Sequence, residues 1–401
     1  MDNIEDHIRK NGEEPEKCTP LPEICKRISK DLHKKRGVLT RWLSAATIIL
    51  ICLFSFEILS GQSFEEKKKY SKTFPVKREM TLELNNKYGN IHISSWQKDS
   101  VYVVAEVEAT SSSLKRLHNM FDGVDVDISG TDYLVRVKTE FSQDINDLVE
   151  TIKGLTDKLI PYESRIRINY KINAPEYIDM RITDKYGDVY IENCRGQFTL
   201  NLANGSFKAN EIDHSKSLQL TFCDATINSL AEGDIESSFS ELTIGESRDL
   251  DISSVSSRLD LKKAGNIYVE SRRDKFYVGS VNSITGNSYF TDFRIDNLGQ
   301  ELNLETRYGN LSAEKIESSF KGININSNYT DIDLTFGRSL SYNLDIRHTN
   351  SNVTVPEKNA DLDKRKIDEN RNEAAISGTV GRNPGNVKVI IKAVRGNIYI
   401  K

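Results

Sequence analysis

The stretch NKYGNIHIS at residues 86–94 returns as DKYGDVYIE at 184–192, TRYGNLSAE at 306–314 and AVRGNIYIK at 393–401. Between these run copies in which the glycine is often lost, including NGSFKA (204–209), CDATI (223–227), FSELTI (239–244), SSRLDL (256–261), RDKFYV (273–278), TDFRI (291–295), YTDIDL (329–334) and NSNVTV (350–355). The spacing, roughly 16 to 21 residues, is that of a repeat array. Each copy reads as a polar corner followed by a strand with one apolar face. Ile91 and Ile93, Val189 and Ile191, Phe276 and Val278, and Ile398 and Ile400 alternate with polar or aromatic residues. A single unit cannot bury that face. Stacking units about 4.8 Å apart shelters the faces and pairs the backbones. The expected fold is therefore all-β, a β-solenoid of stacked strands, with Gly89, Gly187, Gly309 and Gly396 supplying positive φ at its corners. A meander folded into a sandwich is the competing architecture. The scarcity of Asn-Gly hairpin signals between strands, Asn204-Gly205 being the main one, weighs against it.

Two regions interrupt the series. Between the corners at Gly89 and Gly187, SSSLKRLHNMF and SQDINDLVETIKGLTDKL space apolar residues at three and four, which predicts helices in a small α+β cap over the first coils. Residues 356–386 are polar, then glycine-rich, and are expected to form a surface loop before the last strands.

Upstream, a nearly unbroken apolar run extends from Trp42 to Leu59 and includes Leu43, Ile48, Ile49, Leu50, Ile51, Leu53 and Phe54. At 1.5 Å per helical residue it reaches about 27 Å, enough for a hydrocarbon core. Lys34, Lys35, Arg36 and Arg41 precede it, so the positive-inside rule places the N-terminus in the cytoplasm. A cleaved signal peptide and a buried core helix are the alternatives; the basic leader is far longer than an ordinary n-region, and a core helix would not be apolar all round with cations crowding one end. The chain thus divides into a cytoplasmic tail (1–38), a transmembrane helix (39–60), a linker (61–80), first strands with the cap insertion (81–180) and solenoid repeats (181–401). The tail is a partly disordered carrier of topogenic charge or a docking peptide for a cytoplasmic regulator.

Composition removes several function classes. With 55 basic and 59 acidic residues the chain lacks the basic excess of a nucleic-acid binder. The five cysteines (Cys18, Cys25, Cys52, Cys194 and Cys223) form no disulfide framework and no CxxC pair, and His7, Cys18, Cys25 and His33 match no zinc-finger spacing. Neither metal nor cofactor is expected, and a Cys194–Cys223 bridge is left open. No HExxH, GxSxG or P-loop pattern occurs. Asp188, Asp224, Glu241, Asp292 and Asp331 fall at corners and read as turn residues, not as an acid–base pair. One set of outward residues, His92, Tyr190, Tyr277 and Tyr399, is a candidate platform for a glycan or a protein partner, the plainer alternative being a cross-strand aromatic ladder.

YSKTFPVKREMTLELNNKYGNIHISSWQKDSV, DKYGDVYIENCRG and the terminal GNVKVIIKAVRGNIYIK together resemble the bacterial toast-rack, adhesin-like β-solenoid family of envelope proteins, over roughly residues 70–401. The resemblance implies an interaction or structural module in the cell envelope, anchored in the inner membrane with its C-terminal domain on the far side and without catalysis. Two alternatives remain. One is a membrane-tethered regulator of the anti-sigma or envelope-stress type, with the solenoid as sensor. The other is a glycan-processing β-helix enzyme.

Overall fold

The computed structural model describes residues 63–142 and 164–401. The expected cytoplasmic tail, the span from Trp42 to Leu59 and nearly all of the second helical stretch lie outside the described residues. Among the described residues no helix is long and apolar enough to cross a membrane.

The chain enters on β1 (Phe64–Pro75) and makes a first coil from β2 (Thr81–Asn85) and β3 (Ile91–Ser95). It then leaves the stack through β4 (Ser100–Ser111), the helix α1 (Leu114–Asp122), β5 (Val124–Gly130), β6 (Leu134–Phe141) and β7 (Ser164–Ala174). The stack resumes with β8 (Asp179–Lys185), β9 (Val189–Ala203), β10 (Ser206–Thr221), β11 (Asp224–Ser238), β12 (Glu241–Val255) and β13 (Arg258–Arg272). It continues through β14 (Lys275–Ile316), which bends through more than one coil without breaking, β15 (Gly322–Phe336) and β16 (Tyr342–Thr354). The chain ends with β17 (Ala360–Asp368), β18 (Glu373–Val380) and β19 (Lys388–Ile400).

From β9 to β15 neighbouring strands pair in parallel, and the register sets the coil length. Phe207 faces Ala225, an interval of 18; Leu242 faces Leu259, an interval of 17; Leu302 faces Ile323, an interval of 21. Each coil has two arms, one on either side of a tight corner, with a broader bend where the second arm follows the first. Both arms turn alternate side chains inward, so Leu242 and Ile244 meet Leu250 and Ile252 inside the same coil. The inward residues expected from the sequence are all buried.

Both ends of the stack are covered by strands. At the first end β6 adds in parallel to β2 and β7 to β3; β5 and β4 then pair antiparallel on these, and β1 on β4. The cap is thus mostly strand, with α1 burying Leu117 and Met120 against it. At the other end the last strand, β19, inserts between β15 and β16 and is parallel to both. The segment 356–386, expected to be a loop, instead carries the hairpin β17–β18, which pairs antiparallel with the open edge of β16. Its polar composition misled because a two-stranded edge cover buries little: Ile376 and Val380 go inside, while most of ADLDKRKID stays in water.

The corners differ from expectation in one respect. The left-handed residue is the one before the glycine: Tyr88 (φ 69), Tyr186 (φ 66), Tyr308 (φ 57) and Arg395 (φ 60). Gly309 and Gly396 are also at positive φ, whereas Gly89 and Gly187 are not among the positive-φ residues. What Gly187 supplies is absence of bulk, since a Cβ there would lie 1.8 Å from the Gly89 carbonyl oxygen of the preceding coil. Cys194 and Cys223 are both free and buried, one at a broad bend and the other at a corner.

Candidate functional site

Of the platform read from the sequence, the structure brings two members together. His92 and Tyr190 face each other across β3 and β9, with ring centroids 4.5 Å apart. The same outward column then runs through Lys208, Thr226, Thr243 and Asp260 before it reaches Tyr277. Tyr399 lies beyond, beside Asp333 and Thr354. Four residues share a face, but they form one pair and two separate rings. The Arg258 guanidinium lies 4.3 Å from the Tyr277 ring, and the Lys401 ammonium 5.8 Å from that of Tyr399.

The larger aromatic surface lies at the corners. The left-handed position holds Tyr88 and Tyr186, then after Asn204 Phe222 and Phe239, then after Ser256 and Arg273 Phe290, Tyr308 and Tyr329, so the rings fall in three groups, with Tyr88 itself buried. An aromatic side chain is an expensive choice for that backbone, where Asn or Gly is the usual solution. Stacking from coil to coil offsets the cost. Phe222 and Phe239 stack at 5.1 Å, Phe290 and Tyr308 at 4.7 Å, and Tyr308 and Tyr329 at 5.0 Å. Tyr289 meets Phe290 edge-on, and the Arg395 guanidinium covers the Tyr329 ring. Phe222 is 57% and Phe239 55% exposed, so stacking leaves a rim of apolar ring in water. The sequence carries this signal as aromatic, small residue, then Asn, Asp or Glu: Tyr88-Gly89-Asn90, Phe222-Cys223-Asp224, Phe239-Ser240-Glu241, Phe290-Thr291-Asp292 and Tyr329-Thr330-Asp331. The changing middle residue, glycine in only some copies, obscures it.

Three of the five corner carboxylates are engaged in structure. Asp188 accepts hydrogen bonds from the Ser206 amide (2.9 Å) and hydroxyl (2.6 Å), Asp292 from the Asn310 amide (3.0 Å), and Asp331 from the Asn397 amide (2.7 Å). Each ties one coil to the next. Just inside them runs a second ladder of small polar residues. The Cys223 amide donates to Ser240 Oγ, the Ser240 amide to Ser257 Oγ, and the Ser257 amide to Asp274 Oδ1. Where glycine is absent, the corner N–H of one coil is therefore satisfied by the side chain of the next.

On the broader bends a recess of about 710 Å³ spans five consecutive turns, with Ser247 and Arg248 at one end and Glu317 and Ser319 at the other. Small residues open it, among them Gly265, Ser280 and Gly299. The turn supplying Glu317 and Ser319 belongs to the 21-residue interval, so its extra residues make one wall.

No family model matches the chain, and no curated protein matches it. Solved structures similar to it include a candidate cell adhesion protein from Clostridium sporogenes, at 14% identity and a TM-score of 0.19, covering 84% of this chain and 100% of that one. A candidate adhesin from Parabacteroides distasonis shares 13% identity at a TM-score of 0.34, covering 67% and 97%. A protein from the same organism described as a candidate lipid-binding protein shares 11% at a TM-score of 0.33, covering 66% and 96%. Two of these three are described as adhesion proteins, the kind of protein that the sequence resembles. At such identities and TM-scores the likeness says nothing about what this chain binds.

Proposed function

We propose that the protein is a non-catalytic binding module of a bacterial cell envelope, anchored by the segment 39–60 with its N-terminus in the cytoplasm and its solenoid beyond the membrane. The observation that carries the binding role is the set of exposed rings along the corner edge, stacked in groups. A solenoid needs left-handed corners, but it does not need phenylalanine in water at Phe222 and Phe239, and exposed aromatic surface is what binding faces are built from. The absence of catalysis is supported by the corner carboxylates Asp188, Asp292 and Asp331, each of which accepts a backbone N–H of the next coil through Oδ1. Anchoring is supported by the apolar run at 42–59 and the cationic residues before it.

The test is a double variant, Phe222→Ala with Phe239→Ala, scored for aggregation of cells that carry the full, membrane-anchored chain. The expected result is loss of aggregation with an intact fold. Unchanged aggregation with lowered thermal stability would make the rings purely structural. Reporter fusions before residue 39 and after residue 63 test the topology; activity of an extracytoplasmic reporter at the N-terminal site would overturn it.

A further inference from the structure

The recess on the broader bends is a second surface, on the other bend of the coil from the ring stack. At about 4.8 Å per coil its four intervals make it about 19 Å long. We propose that this groove binds a segment of an uncharged, linear oligosaccharide. Length along the stack favours an extended polymer over a compact ligand. Its apolar lining is limited to Ala264 and Val281, both buried at the floor, which is too little for an acyl chain or an apolar peptide.

Charge narrows the class further. The Arg248 guanidinium is held by Glu232 and Asp249, the Lys263 ammonium lies 3.4 Å from Glu246, and the Glu317 carboxylate 2.6 Å from Lys315. Three cations (Arg248, Lys263 and Lys315) are set among four carboxylates (Glu232, Asp249, Glu246 and Glu317), so the rim presents no net positive charge to a polyanion. What the groove offers is hydrogen bonding. The Ser247 hydroxyl is buried with no partner among the described residues. The Asn282 amide is exposed at mid-groove, and Gly299 keeps its oxygen accessible, since a methyl there would stand 3.2 Å from Oδ1. Amide groups donate and accept together, which matches paired sugar hydroxyls.

The proposal goes beyond the binding-module reading and uses different residues, so the two fail separately. Full-length protein in a detergent without a sugar headgroup is screened on an array of neutral and anionic linear glycans. The strongest neutral binder is then titrated by calorimetry at low and high salt. Expected are binding insensitive to salt, at least about a tenfold loss in Asn282→Trp, which fills the groove from an exposed position, and unchanged affinity in Phe222→Ala/Phe239→Ala. Circular dichroism of Asn282→Trp checks that the fold is kept. Binding of anionic glycans only, no neutral binder, or wild-type affinity in Asn282→Trp would each overturn the proposal.

Discussion

Asp274 gathers four donors into a space that water does not reach. It is 2% exposed and accepts from the Ser257 amide (2.6 Å), the Ser254 hydroxyl (2.7 Å), the Ser271 hydroxyl (2.6 Å) and the Arg272 amide (2.9 Å). Asp274→Ala strands three of them, the Ser271 hydroxyl keeping Thr291 Oγ1 at 2.7 Å, at an expected cost of about 3–5 kcal/mol. Asp274→Asn keeps one acceptor oxygen and should cost clearly less. Urea unfolding of both variants checks this, and a loss below about 1 kcal/mol in the alanine variant would mean the ladder is not structural. Asp184 is the opposite case. It is buried beside the first corner, and neither carboxyl oxygen makes a well-aligned hydrogen bond; the Lys185 N–H and the Asn86 amide lie near enough to favour the charged form, but by less than burial opposes it. The aligned Asn86 has committed its amide to the carbonyls of Gly89 and Ile168. Burial pushes the Asp184 carboxyl up to about 7, and the charge of Asp188 pushes the same way. An unfolded aspartate titrates near about 3.9, so the folded state holds a proton that the unfolded chain releases. Stability from this group is complete below about pH 4, falls as pH rises towards 7, and is level above it. Asp184→Asn should therefore match the wild type near about pH 4 and exceed it by a few kcal/mol near about pH 8. Lower stability of the variant at the higher pH would show that the carboxylate has a partner.

At the scale of elements, the open strands show how a stack this regular avoids growing by addition of other chains. The outer strand β1 reads FEEKKKYSKTFP and β17 reads ADLDKRKID, and both keep most of their charges in water. Charged edges of this kind discourage pairing with another sheet. Replacing residues 357–385 with a bend of the length used by the other coils would join β16 to β19 and leave the β16 edge bare. The shortened protein should fold but self-associate, which light scattering across a concentration series would detect. A monomer at all concentrations would remove the guarding role from the hairpin. The same elements mark what could be read in advance. Alternation made Ile91, Val189 and Phe276 inward residues without ambiguity, because a strand with one buried face fixes its own parity. The order of strands could not be read: β19 reaches its place between β15 and β16 through long-range pairing, and nothing local in GNVKVIIKAVRGNIYIK specifies its neighbours. The hairpin was hidden for a related reason, since a cover strand is selected for staying polar. The ring stack was not read: its triplet changes its middle residue from copy to copy, and its exposure follows from the corner φ, which sequence periodicity does not report.

For the molecule as a whole, contacts pass from each coil to its neighbours, so stability should scale with coil number and not depend on any one coil. This can be tested by excision. Removing residues 241–257 takes out one interval of 17, the offset that places Glu241 opposite Arg258 and Val255 opposite Arg272. The new junction reads Phe239-Ser240-Arg258, which keeps a left-handed aromatic, an inward serine and an outward polar residue at the corner. Ala225 and Ile227 would then face Leu259 and Leu261 in place of Leu242 and Ile244. The shortened chain should fold cooperatively, with a urea m-value reduced roughly in proportion to the surface removed. Removing residues 241–256 instead leaves an extra residue at the junction and turns every following inward side chain outward unless the corner absorbs it. That variant should be strongly destabilised or aggregate. If both deletions behaved alike, the stack would not be held by register between coils, and neither the corner ladder nor the ring stack would be a consequence of coil-to-coil alignment.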